Sequence, residues 1–222
     1  SPAAEAAKIV CRVVPEVLLD YREKDEKAIE NALEMANRRI VSWNMLHFPE
    51  PDYATRNKAG CVAAVSATGR DYIHYGYLSD CGVTVVDESG KLVFKTPDIG
   101  PARYDRERWQ TKSLKGREWR DPEARKIVRR DFVNKKDSPY AYGVLNGDQD
   151  ATKYFVSKGR IERKGGEIVL TYTDGVEPSL FTGDLFLTTH AQEAIASRQI
   201  QKLKKLCKKN VRSEGTLVLT NI

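Results

Sequence analysis

Gly165-Gly166-Glu167-Ile168-Val169-Leu170-Thr171-Tyr172-Thr173-Asp174-Gly175 is the stretch on which the reading of this chain turns. Paired glycines make a turn, and Glu167–Thr173 then runs as a strongly apolar segment, the pattern of a central strand. The strand ends in Asp-Gly. A carboxylate at the tip of a rigid strand is held accurately, and a glycine after it lets a metal, water or phosphate approach the main chain. Asp is a hard oxygen ligand suited to Mg²⁺ or Mn²⁺. By local pattern alone the same dipeptide also reads as a plain turn, so the roles of Asp174 and Gly175 depend on what the rest of the chain brings beside them.

Working outward, Ala6, Ile9, Val10, Val13 and Val14 recur on one face and predict a helix over Ala3–Val14, with Pro15 expected to kink or restart it. Asp25 is placed to cap a second helix carrying Ile29, Leu33, Ala36, Ile40 and Trp43. Cys61–Ala67 and Asp71–Leu78 read as strands joined at Thr68-Gly69-Arg70. Val83–Val86 and Leu92–Phe94 read as a hairpin around Asp87-Glu88-Ser89-Gly90. Residues 98–120 are polar and irregular. Asp121-Pro122 opens a helix to about Phe132, Tyr140–Leu145 is expected as a strand, and Ala151–Ser157 as a short helix. Thr189-His190-Ala191-Gln192 has capping-box spacing ahead of a helix with Ala196, Ile200, Leu203 and Cys207 on one stripe, and Thr216–Thr220 is a last strand. Strands follow one another through short turns without intervening helices, which argues antiparallel pairing. The class is α+β, with sheet layers under helices.

Composition narrows the function classes. The chain has 222 residues, 41% of them hydrophobic, enough for one core and tight for two domains. No apolar run approaches the roughly 18 residues of a membrane span. Cys11, Cys61, Cys81 and Cys207 lack any C-x-x-C pair or nearby His, which argues against a zinc site and for free thiols in a reducing compartment, the cytoplasm. The net charge of +6 is concentrated: residues 103–130 hold eleven Lys/Arg against five Asp/Glu, and residues 198–212 hold seven Lys/Arg and no acid. No nucleic-acid motif accompanies them, so a nucleic-acid partner is not expected. There is no Gly-x-Ser-x-Gly elbow for His47, His74 or His190 to serve, which argues against acyl transfer.

In this setting the strand ending Thr173-Asp174-Gly175 resembles the Ser/Thr-Asp-Gly strand of type-2C metal-dependent Ser/Thr protein phosphatases, and other segments follow in the family's order. Glu5–Val10 resembles the helix after the family's Asp-Gly-x-Gly motif, and Ala32–Ile40 resembles its second helix. Asn57-Lys58-Ala59-Gly60 stands where the family has Asp-x-x-Gly. Ser79-Asp80-Cys81 resembles its Gly-Asp-Ser, with Asp80 read as structural. Tyr142-Gly143-Val144-Leu145-Asn146-Gly147 resembles a Tyr-Gly-Val segment of prokaryotic relatives, and Ser213-Glu214-Gly215 precedes the last strand.

The resemblance implies a two-layer antiparallel β-sandwich flanked by helices, one phosphatase-like domain over residues 1–222. The family's first strands, with their Asp-Gly-x-Gly ligands, would precede Ser1. It implies two Mg²⁺ or Mn²⁺ ions activating a water that attacks phosphorus in line. Asp174 is the implied catalytic residue, and Asp174, Gly175 and Glu214 the implied metal ligands. Glu214 is included because Ser213 stands where the family carries its last metal Asp; Asn57 likewise replaces an accessory-metal Asp. Residues 98–120 occupy the place of a variable flap, whose Arg103, Arg106, Arg108 and Arg117 would bind the phosphorylated substrate, a protein or a small phosphate monoester. The alternative is a catalytically inactive phosphatase-like binding module.

Overall fold

The computed structural model describes residues 1–48, 58–118, 120–176, 180–182, 186–199, 201–203, 205–206 and 217–221. Two long helices come first. In α1 (Pro2–Leu19) the Ser1 hydroxyl accepts from the Ala4 N–H at 3.3 Å, and a proline sits in the first turn, where its missing N–H is no loss. The helix continues through Pro15 as one element, without the expected restart. Pro15 lies on the exposed face, and the buried Val13, Val14 and Leu18 on either side hold the helix against its neighbour. That neighbour, α2 (Glu26–His47), is capped by Asp25, whose carboxylate accepts from the Ala28 N–H at 2.8 Å.

The strands form two antiparallel sheets. Sheet one has the order β1 (Ala64–Thr68), β2 (Tyr72–Tyr77), β5 (Ser157–Glu162). Sheet two has the order β4 (Leu92–Lys95), β3 (Gly82–Val86), β6 (Ile168–Tyr172), β9 (Leu217–Asn221). The β3–β4 hairpin turns as its sequence asks, with Gly90 at φ +78°. A two-stranded ribbon, β7 (Phe181–Thr182) with β8 (Phe186–Leu187), lies to one side. The remaining helices are α3 (Asp105–Trp109), α4 (Pro122–Asp131), α5 (Gln149–Phe155) and α6 (Thr189–Ala196).

Side-chain alternation along each strand stacks these pieces into four layers. Val65 and Ala67 of β1 face the helix pair and join Ile29, Leu33, Val10 and Val13 in one core. Ile73 of β2, Val83 and Val85 of β3 and Val169 of β6 meet between the sheets. The Ser66 and Thr171 hydroxyls bridge the same gap at 2.8 Å. Ile168, Leu170 and Tyr172, on the other face of β6, pack with Ala191, Ala194 and Ile195 of α6. Each such buried aliphatic side chain contributes about 1.5–3 kcal/mol. This is the expected α+β sandwich with helices on both outer faces.

One strand forms where the sequence announced none, and two local expectations fail, each for a physical reason. β5 reads S-K-G-R-I-E, with only one large apolar residue, yet it completes sheet one along six paired residues of β2. Residues 140–145 are not a strand and make only isolated bridges at Tyr142 and Leu145. Their main chain is taken by side chains instead: Asn134 accepts from the Val144 N–H at 2.8 Å and donates to the Val144 carbonyl at 2.9 Å. The cap of α6 is Thr188, one residue before the expected position, with its hydroxyl accepting from the Ala191 N–H.

Candidate metal and phosphate site

The chain crosses from sheet one to sheet two at a tight corner between Tyr77 and Gly82, where Ser79 adopts φ 61°. Asp80 rides on that corner. On the neighbouring strand, Gly82 pairs with Tyr172. Asp80 stands two residues before Gly82 and Asp174 two after Tyr172, and the two carboxyls are near enough to interact electrostatically. Asp174 opens a 3-10 turn, Asp174–Val176, closed by the Val176 N–H donating to the Thr173 carbonyl at 3.1 Å. Asp174 is exposed, Asp80 is half-buried, and Gly175 and Val176 are buried beneath them.

The electrostatics follow from this placement. The Asp80 carboxyl is pushed up from 3.8 to about 6, first by burial and then by the Asp174 and Asp98 carboxylates. The Cys81 thiol is raised well above its ordinary value by burial, with Asp80 and Asp174 adding to it. Asp98 sits just past β4 and accepts from the Gly100 N–H at 2.7 Å. Gly100 backs directly onto Asp80: a Cβ there would stand 2.7 Å from the Asp80 nitrogen, so only glycine fits. Among the described residues neither Asp80 nor Asp174 has an ion-pair partner.

A carboxyl whose proton affinity is raised by burial and by a second carboxylate is a donor that a hard divalent cation would relieve. Among the described residues no group of three His, Cys, Asp or Glu side chains stands close enough to hold a metal ion. With only these two carboxylates, a cation held there would keep several waters, as Mg²⁺ commonly does. Asn57, Ser213 and Glu214 lie outside the described residues.

The four arginines part company. Arg103 is exposed, with its guanidinium over the Tyr104 ring at 5.1 Å. Arg106 is exposed on the rim of a shallow pocket beside Gln110 and Tyr140. Arg117 is spent on Asp121, 2.8 Å away, the residue that caps α4. Arg108 is 2% exposed, donates to the Pro101 carbonyl at 2.7 Å and the Tyr140 carbonyl at 3.0 Å, and stacks over Phe132 and Tyr142. A side chain so enclosed cannot meet a substrate. Arg108 braces the 98–110 segment against 132–142, which corrects the sequence reading of it as a phosphate binder.

No protein-family model matches the sequence, and no curated protein matches it. Solved structures do match, over nearly the whole chain. The catalytic domain of the serine/threonine protein phosphatase PstP, in complex with two manganese ions, superposes with a TM-score of 0.55 at 13% identity, over 97% of this chain and 79% of that one. PppA, a regulatory component of the T6SS in Pseudomonas aeruginosa, gives a TM-score of 0.60 at 10% identity, over 98% and 80%. The S. agalactiae serine/threonine phosphatase gives 0.59 at 11%, over 96% and 78%. The chain has the type-2C phosphatase fold. At these identities the likeness concerns the fold alone. Within the type-2C fold, Asp80 and Asp98 join Asp174 at one end of sheet two. The sequence reading takes Asp80 as structural and does not single out Asp98. The pairing of Gly82 with Tyr172 links positions 90 apart in the chain, and nothing local announces it.

Proposed function

We propose that this chain is the body of a Mg²⁺- or Mn²⁺-dependent phosphatase that hydrolyses phosphate monoesters on phosphorylated proteins. The observation that carries the reading is the pair of facing carboxylates, Asp80 and Asp174, at the adjoining ends of β3 and β6 on a type-2C fold. A divalent ion bound there would acidify a ligated water and neutralise charge on the phosphate. Asp174, on the tip of a strand packed on both faces, would hold one edge of such an ion in a fixed position, and Asp80 would close the second edge from the corner. The buried Gly175 leaves its main chain open to close approach. Exposure on the Asp174 side leaves room for water and substrate. The same reading takes residues 1–222 as one domain and 98–120 as a flap beside the site. The free thiols of Cys11, Cys61 and Cys81 fit a reducing, cytoplasmic setting. Among the described residues no helix is long and apolar enough to cross a membrane.

The test is hydrolysis of p-nitrophenyl phosphate by the chain with and without excess Mn²⁺. The expected result is Mn²⁺-dependent turnover that Asp174→Asn reduces by on the order of a hundredfold or more, since a neutral amide no longer offsets cation charge. A second reading, a catalytically inactive binding module, is favoured by the lack of a three-ligand cluster among the described residues. It predicts no turnover and a melting temperature that neither Mn²⁺ nor chelator moves.

A further inference from the structure

The segment that covers Asp80 also walls a second depression. Gly100 lies against the Asp80 main chain, while its neighbour Ile99 lines a groove of about 280 Å³ with Arg103, Tyr104, Tyr154 and Ser157. The groove thus begins one residue from the carboxylate pair. Ser157 of the groove meets Tyr77, a buried phenol whose pKa burial raises. The Ser157 hydroxyl hydrogen-bonds it, and Asp98 and Arg103 act on it with opposite signs.

The groove's rim is cationic. Arg103 is exposed and has no ion-pair partner among the described residues, and its guanidinium carbon lies 5.1 Å from the Tyr104 ring centroid. At the other end Tyr154 is 44% exposed, with the Lys136 and Lys153 ammonium groups 5.0 Å and 4.9 Å from its ring centroid. The phenol's pKa is lowered first by a hydrogen bond from Lys153 and then by Lys136, with Asp150 opposing. Arg103 thus lines a hydroxyl-bearing groove, and Lys136 and Lys153 stand at Tyr154, which lines it too, against Asp98 turned to Gly100 and Asp150 on α5. An unpaired guanidinium offers its donors to a carboxylate or phosphate, and aryl hydroxyls add donors.

We propose that this groove receives an acidic side chain of the substrate polypeptide, so that the preferred substrates carry Asp or Glu within a few residues of the phosphorylated one. The proposal rests on the phosphatase reading for the identity of the substrate but not for the binding itself. Gly100 touches Asp80, and Ile99 and Arg103 on either side of it line the groove, so one extended peptide passing the carboxylate pair would also pass the groove.

The test uses the whole chain and three fluorescein-labelled phosphoserine peptides, flanked by Glu, by Ala or by Lys, in anisotropy titrations at low and moderate salt. Glu flanks are expected to bind on the order of tenfold more tightly than Ala flanks, with the advantage shrinking as salt rises. Combined Arg103→Ala, Lys136→Ala and Lys153→Ala substitutions should abolish the advantage, and Arg103→Lys with both lysines kept should retain part of it. Equal affinity for Glu and Ala flanks, or a Glu preference unchanged in the triple variant, overturns the proposal. Turnover of p-nitrophenyl phosphate by the unaltered chain is read in parallel. Turnover without a flank preference sinks the groove and leaves the enzyme; a flank preference without turnover sinks the enzyme and leaves the groove.

Discussion

Asp80→Asn should make the metal-free protein more stable at neutral pH, although it removes a residue of the candidate site. In the unfolded chain this carboxyl ionises near 3.9, whereas in the fold burial and the facing Asp174 raise it to about 6. Below about pH 4 both states carry a neutral acid and the difference vanishes. Between about 4 and 6 the unfolded chain loses its proton first, so wild-type stability falls as pH rises; above about 6 the full deficit is present. At about 1.4 kcal/mol per pH unit, a rise from 3.8 to about 6 corresponds to about 3 kcal/mol. Solvent reaches one side of Asp80, so about 2 kcal/mol is the working figure. Asn keeps the size and loses the charge, and should raise Tm by about 4–8 °C in a domain of this length.

The assay is thermal unfolding in EDTA at pH 7.5 and at pH 4, followed by the same pair in Mn²⁺. The variant's advantage should appear at pH 7.5 and disappear at pH 4. Asp174→Asn should give a smaller gain, because burial ranks ahead of Asp174 among the causes. Mn²⁺ should stabilise the wild type more than either variant, since it binds only where both carboxylates survive. A lower Tm for Asp80→Asn at pH 7.5 in EDTA, or an equal gain at both pH values, would show that Asp80 does not face Asp174 as a costly charge.

Arg108→Ala should lower stability by about 2–4 kcal/mol in urea unfolding, because the Pro101 and Tyr140 carbonyls lose a shared charged donor, and Arg108→Lys should not recover it, lacking the fork that reaches both. Asn44→Ala should cost about 3 kcal/mol: the amide donates to the Ala59 and Asn146 carbonyls at 2.9 and 3.0 Å and accepts from the Ala59 N–H at 2.9 Å. Hydrogen exchange would place that loss at the Ala59 amide first. Gly100→Ala should press a methyl onto the Asp80 main chain, and the expected readout is a smaller Mn²⁺-induced rise in Tm than in the wild type. An undiminished rise would show that Asp80 tolerates displacement.

What was legible in the sequence is what short-range rules govern. The apolar stripe of α1 and α2, the caps at Asp25 and Asp121, and the Gly90 hairpin each depend on residues within one or two turns of one another, and each formed where expected. The failures sit where a distant partner decides. Ser157–Glu162 becomes a strand because β2 offers it a ladder, and Gly159 fits because the Tyr75 hydroxyl would lie 2.6 Å from any Cβ there. Residues 140–145 lose their ladder because Asn134 and Arg108 satisfy main-chain groups that a neighbouring strand would otherwise take. Arg108 reads in sequence like its neighbours Arg103 and Arg106, and only the carbonyls of Pro101 and Tyr140, brought in by the fold, make it a brace.

The candidate site divides the same way. Asp174 advertised itself because the strand before it is apolar and the residue after it is glycine. Asp80 did not, since its meaning comes from a register that joins Gly82 to Tyr172. A corner that moves the chain between sheets must expose a short irregular turn, and here that turn falls level with the end of the adjoining central strand. Two carboxylates placed there repel one another, and the fold carries that repulsion as an instability near neutral pH. Burial alone would favour an Asn or Ser at position 80. A cation sharing the space would relieve both the burial and the like charge, and that is the sense in which the electrostatics support the proposed metal-dependent chemistry.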